Sequence, residues 1–207
     1  MAAMSDTLSL GGKAKGGVLK SLARAVTTGE SFFMQEITAE HGPGSVMLSP
    51  RYPGEVHLIE LNNEEWMLSD GAFLAADESL ELQTVRQKSI GTALVGGTGG
   101  FFQLKVSGTG TLAIAGVGAV REMSVAPGTE LIVDSGHAVA WPATLASKAS
   151  LSTGQGGGFL KKAVGSAKSG EGIVLRFHGG DAGGKILVSS RSRPSLISWI
   201  NDQLPGK

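Results

Sequence analysis

The chain has 207 residues, 41% apolar and 5% aromatic, and its 18 basic residues balance 18 acidic ones. A formal charge of zero gives no global field for nucleic acid, so a polyanion would need a local patch. Cysteine is absent, which removes disulfides, thiolate nucleophiles and cysteine-ligated zinc, and no run approaches the roughly 18 apolar residues of a spanning helix or the apolar core of a signal peptide, so a soluble, cytoplasmic protein is expected.

Glycine is the compositional outlier, with 32 residues placed between short runs rich in valine, leucine and isoleucine. Glycines at turn sites between short β-type runs predict an all-β sandwich or barrel. Residues 1–15 are small and polar and read as a flexible tail. In 16–28, Val18, Leu19, Leu22, Ala23 and Val26 fall at helical spacing, which predicts a short N-terminal amphipathic helix ended by Gly29. Strands are predicted over 32–38, 45–49, 56–61, 65–69, 73–76 and 80–84. They are separated by turn sequences such as His41-Gly42-Pro43-Gly44, Tyr52-Pro53-Gly54 and Asp70-Gly71. Further strands are expected over 100–107, 110–115, 120–125, 130–134, 138–141, 146–151, 173–177 and 185–189, with a Gly/Ser/Lys-rich connection across 152–172. Pro194 suits a first helical turn, and Leu196, Ile197, Ile200 and Leu204 form a stripe with Trp199 beside it. The predicted helix, 194–204, is expected to cover an open end of the β core or a neighbouring subunit's sheet edge.

The chain also copies itself. Gly44-Ser45-Val46-Met47-Leu48-Ser49 returns as Gly110-Thr111-Leu112-Ala113-Ile114-Ala115 and as Gly184-Lys185-Ile186-Leu187-Val188-Ser189. Trp66-Met67-Leu68-Ser69-Asp70-Gly71-Ala72-Phe73 lines up with Leu131-Ile132-Val133-Asp134-Ser135-Gly136-His137-Ala138, and Leu104-Lys105-Val106-Ser107-Gly108 with Leu175-Arg176-Phe177-His178-Gly179. Such a period, roughly seventy residues, means one structural unit built more than once. The expected organisation is a tail over 1–15 and a single fused β domain over 16–207, made of pseudo-repeats at 29–96, 97–169 and 170–190 plus the C-terminal helix.

The order of elements resembles a known family. Gly16-Gly17-Val18-Leu19-Lys20 precedes Gly29-Glu30-Ser31-Phe32-Phe33, followed by Tyr52-Pro53-Gly54-Glu55-Val56, Ser69-Asp70-Gly71-Ala72-Phe73-Leu74-Ala75 and Val133-Asp134-Ser135-Gly136-His137. Across residues 16–204 the chain resembles the Aim-type family, named for altered inheritance of mitochondria. The resemblance implies an all-β, internally repeated sandwich of double-stranded β-helix type, similar to the tryptophan RNA-binding attenuation protein. It also implies homo-oligomerisation, with a trimer or larger ring in range, and no established reaction for bacterial members. For mitochondrial relatives it implies a role in inner-membrane organisation.

Residues for chemistry are sparse. His41, His57, His137 and His178 are dispersed and form no His-x-His pair, so neither a metal nor another cofactor is expected. Asp134 stands three residues before His137 and could orient its imidazole for general-base work. The matching turn, Ser69-Asp70-Gly71-Ala72, carries alanine at the histidine's place, which favours a structural role. Gly96-Gly97-Thr98-Gly99-Gly100 lacks the Gly-Lys-Ser/Thr of a phosphate loop and runs into a strand. Phe101, Phe102 and Lys105 are the closest approach to an RNA-stacking strand, which makes an RNA- or small-ligand-binding module the alternative reading. Lys20 and Arg24 could rest the first helix on an anionic membrane surface, although packing of its apolar stripe on the sheet is the simpler expectation. A repeated core without a repeated catalytic constellation points to a non-enzymatic, homo-oligomeric scaffold or interaction module. Its expected partners are other copies, a protein or a membrane surface.

Overall fold

The computed structural model describes residues 1–11, 35–86, 102–151 and 173–204. They divide between two compact units, Met1–Ser49 and Pro50–Lys207. The helix expected over 16–28 and the connection over 152–172 lie outside the described residues.

In the first unit, β1 (Ala3–Met4) pairs antiparallel with β4 (Val46–Met47), and β2 (Ser9–Gly11) with β3 (Glu36–Thr38). The Ser45 N–H donates to Ser5 Oγ at 2.9 Å, and Thr7 Oγ1 donates to the Pro43 carbonyl at 3.1 Å. Of the flexible tail expected over 1–15, residues 1–11 are described, and their polar side chains are tied to partners far along the chain, which composition does not reveal. Where one fused domain was expected over 16–207, the chain falls into two compact units that meet in sequence at Ser49 and Pro50. Gly44–Ser49, matched above to two later segments, contributes only the two-residue β4.

The second unit contains β5 (Val56–Ser69), β6 (Phe73–Ala76), β7 (Glu81–Arg86), β8 (Phe102–Ala115), β9 (Val120–Val125), β10 (Glu130–Asp134), β11 (Ala138–Pro142), β12 (Ala146–Leu151), β13 (Ile173–His178), β14 (Gly184–Ser189) and α1 (Arg193–Gln203). A seven-stranded sheet runs in the order β6-β8-β5-β11-β14-β9, with β7 also on β8, and a three-stranded sheet runs β10-β13-β12. β5 and β8 pair along almost their whole lengths, but the register shifts between Asn62 and Glu64. Asn63 has φ 55°, and Gly108 and Gly110, opposite this point, have φ 123° and 152°, values that side chains rarely allow. The bulge bends the strand pair and lets one sheet enclose a core of its own. That core holds Ile59, Leu61 and Leu68 of β5, Leu104, Val106, Leu112 and Ile114 of β8, and Val120, Val139, Ala140 and Leu187.

A second core lies between the two sheets. Val125, Ala138, Trp141 and Ile186 meet Val133, Ala149, Leu175 and Phe177 there, with Trp141 and Phe177 edge to face at 5.1 Å between ring centroids. β11 serves both cores, since Val139 and Ala140 belong to the first while Ala138 and Trp141 belong to the second. A register shift between Ala138 and Ala140 permits this change of facing.

The ladders recur along this unit. β8 sets Val106 between Trp66 and Leu82, and Leu104 between Leu68 and Thr84; β13 sets Phe177 between Leu131 and Ser147, and Leu175 between Val133 and Ala149. Phe73 faces Ile114 and Ala75 faces Ala113 across a shift, as Ala138 faces Val188 and Ala140 faces Leu187. These like pairings fall within a first passage, from Val56 to Ala115, and a second, from Val120 to Ser189. In the first passage β5 and β8 are continuous; in the second, Ala126-Pro127-Gly128-Thr129 separates β9 from β10, and Pro127 lacks the N–H to carry a ladder onward.

α1 begins at Ser192, whose Oγ accepts from the Ser195 N–H at 3.3 Å, with Pro194 in the first turn. It forms where the sequence predicts it, yet it buries none of its residues.

Candidate functional site

The turn between β10 and β11 holds the pair expected to work as base and orienter. Asp134 lies at the end of β10, and its Oδ1 accepts from the Gly136 N–H at 2.8 Å, the habit of an aspartate closing its own turn. His137 is drawn elsewhere, with Nδ1 at 2.8 Å from the Ser189 carbonyl oxygen. A carbonyl only accepts, so Nδ1 carries the proton. The side chains of Asp134 and His137 are thus held by different partners, and no side-chain hydrogen bond joins them. The Ser189 N–H donates to the His137 carbonyl at 2.8 Å. Ser189 Oγ donates to the Arg191 carbonyl at 2.8 Å, a shorter contact than its 3.3 Å approach to the His137 carbonyl. His137 therefore clamps the turn to β14 and to the lead-in of α1.

The matching turn, 69–72, closes in the same way: the Ala72 N–H donates to the Ser69 carbonyl at 3.1 Å, as the His137 N–H does to Asp134 at 2.9 Å. Both turns approach the start of α1. Arg193 reaches Asp70 at 3.4 Å, and a methyl group added at Gly136 would lie 3.0 Å from Ser192 Cβ. Sequence reasoning singled out Asp134 and His137 here but missed Ser189, Ser192 and Arg193, which no local motif marks.

Lys105 lies in β8 between Met67 and Gln83, and its Nζ meets Glu65 Oε1 at 3.0 Å. At the corresponding place of the second passage, Arg176 Nη1 meets Glu130 Oε2 at 2.6 Å and Arg176 Nε donates to Ser150 Oγ at 3.1 Å. The Lys105 charge is thus paired with Glu65. Phe102 supplies the first residue of β8; its side chain, together with Phe101, Lys20 and Arg24, lies outside the described residues.

A third polar junction precedes β5 and β9. Gly54 and Gly118 form a parallel bridge, the Glu55 N–H donates to the Gly118 carbonyl at 2.8 Å, and Glu55 Oε2 accepts from the Val120 N–H at 2.7 Å. Arg121 Nη1 approaches the same oxygen at 3.2 Å. The Val120 N–H, with the Arg121 charge in support, holds the Glu55 carboxyl below its ordinary value against a smaller opposing effect of desolvation. Among the described residues no three His, Asp or Glu side chains are grouped to hold a metal ion, and no helix is long and apolar enough to cross a membrane.

These features define a mostly β protein of several antiparallel sheets with a short C-terminal helix, whose polar residues at strand ends hold turns and junctions together. The chain belongs to the family described as mitochondrial biogenesis AIM24, whose model matches residues 1–191, in agreement with the resemblance carried by its motifs. It is 32% identical over 194 residues to an uncharacterised protein of Streptococcus pyogenes serotype M6, covering 94% of this chain and 73% of that one. The crystal structure of a Streptococcus pyogenes protein superposes with a TM-score of 0.74 at 28% identity, covering 99% of this chain and 86% of the other.

Proposed function

We propose that this protein is a non-enzymatic, self-associating interaction module of the cytoplasm, built from two fused copies of one β passage and working without a cofactor. The observation that carries the reading is α1. The helix buries no residue, while Ile197, Trp199, Ile200 and Leu204 are 45%, 57%, 43% and 62% exposed. A helix of 11 residues is marginal in water without tertiary packing, and a cluster of large apolar side chains marks an interaction surface. A second copy is the occupant we favour. Arg193 and Asp202 stand near opposite ends of α1, so antiparallel contact between two such helices pairs opposite charges and opposes their dipoles. Zero formal charge leaves no net repulsion between copies.

The histidine and aspartate best suited to chemistry are occupied with backbone groups, which supports the non-enzymatic part of the reading. The test is Ile200→Lys, made at an exposed position. It is expected to lower the assembly state at micromolar concentration in light scattering while leaving the circular dichroism spectrum unchanged. An assembly indifferent to this charge removes α1 as the contact.

A further inference from the structure

We propose that Ser69, Gln103 and Trp141 form a buried site for one ordered water molecule, which keys the seam between the two β passages. The three side chains carry Oγ, Nε2 and Nε1 atoms that are buried without a hydrogen-bond partner. Gln103 is 2% exposed and Trp141 is 0% exposed. Their placement follows from the ladder. Ser69 faces Gln103 across β5 and β8, and Met67 faces Trp141 across β5 and β11. Ser69 and Met67 are two residues apart on one strand, so all three polar side chains emerge on the same face of three adjacent strands.

Buried polar groups without partners are rare, and an internal water is their commonest remedy. The chemistry balances for one molecule. Gln103 Nε2–H and Trp141 Nε1–H can only donate, and a water oxygen accepts from both while donating a proton to Ser69 Oγ. Three hydrogen bonds are the usual complement of an internal water. The second passage does without this arrangement: Asp134 and Val174 stand where Ser69 and Gln103 stand in the first, and Asp134 is turned onto Gly136. The fold of a passage thus does not require a buried amide there. β5 of the first passage meets β11 of the second through Leu68–Ala140, Met67–Trp141 and Trp66–Pro142, continued by the Ala143 N–H donating to the Glu65 carbonyl at 2.8 Å. A water held by β8, β5 and β11 reinforces that short contact.

The test is a crystal structure of the full chain with ordered solvent, paired with thermal unfolding of Gln103→Met, Ser69→Ala and the double variant. A solvent peak within hydrogen-bond reach of Ser69 Oγ and Gln103 Nε2 is expected, and it should vanish in Gln103→Met. That variant is expected to melt about 2–4 °C lower despite its more apolar side chain, and the double variant should lose less than the sum of the single losses. A dry site in the wild-type crystal overturns the proposal. A water that is present while Gln103→Met melts at the same or a higher temperature overturns its role at the seam.

Discussion

His137 and Ser189 are joined twice: the imidazole Nδ1–H donates to the Ser189 carbonyl oxygen at 2.8 Å, and the Ser189 N–H returns a bond to the His137 carbonyl at 2.8 Å. Only the first bond depends on the side chain. His137→Ala is expected to cost about 1–2 kcal/mol, because it leaves the carbonyl of the buried Ser189 without its side-chain donor. His137→Asn, whose amide can place a donor near Nδ1, is expected to recover most of that loss. Urea denaturation measures both, and equal losses in the two variants would show that the hydrogen bond is not what the histidine supplies.

The Glu55 carboxylate gives the junction before β9 a pH dependence. Its folded-state pKa is lowered from the ordinary 4.5 by the Val120 N–H first and Arg121 after it. The stabilisation is therefore complete above the unfolded value and disappears as pH falls through the folded one. Glu55→Gln is expected to reduce stability at neutral pH and to flatten the acid limb of the stability curve below about pH 4.5. Parallel acid limbs for wild type and variant would remove Glu55 from the explanation.

At Gly54 the constraint is space. A methyl group there would run into the backbone carbonyl of Gly116 and press on the Gly118 amide, neither of which is a flexible side-chain end. Gly54→Ala is expected to cost more than about 3 kcal/mol or to prevent folding, in the range of severe backbone conflicts. Gly11→Ala, where no described residue lies within 4 Å of the added methyl, serves as the tolerant control. Soluble yield and thermal unfolding compare the two, and a folded, near-native Gly54→Ala protein would contradict the close approach.

Lys105–Glu65 and Arg176–Glu130 occupy corresponding places but differ in fork geometry and distance, at 3.0 Å and 2.6 Å. Each pair is partly exposed, so each is expected to contribute about 0.2–1 kcal/mol, the range for solvated ion pairs. Double-mutant cycles should show the Arg176 pair as the stronger, since the guanidinium also holds Ser150. The difference should shrink in high salt.

Much of the second unit was legible in the sequence because its periodicity is local. Short apolar runs such as Leu131–Val133 and Ala138–Trp141 flank a turn that names itself in Asp134-Ser135-Gly136, and Pro194 announces α1. Trp66–Ser69 and Leu131–Asp134, matched in sequence, are both strand segments, paired with Gln103–Val106 and with Val174–Phe177. β1 and β2 were missed because two- and three-residue strands carry no period, and their partners at Val46–Met47 and Glu36–Thr38 are remote in sequence. At the candidate site, local spacing located Asp134 and His137 but not their partners. Arg193 reaches Asp70 across 123 residues, and the matched charge on Lys105 comes from a strand that only folding brings alongside.

Sedimentation equilibrium on the intact chain at micromolar concentration bears most directly on the proposed self-association. A mass that is a small whole multiple of the 21.2 kDa protomer and does not fall on modest dilution is expected. A single species at the protomer mass throughout that range would contradict it.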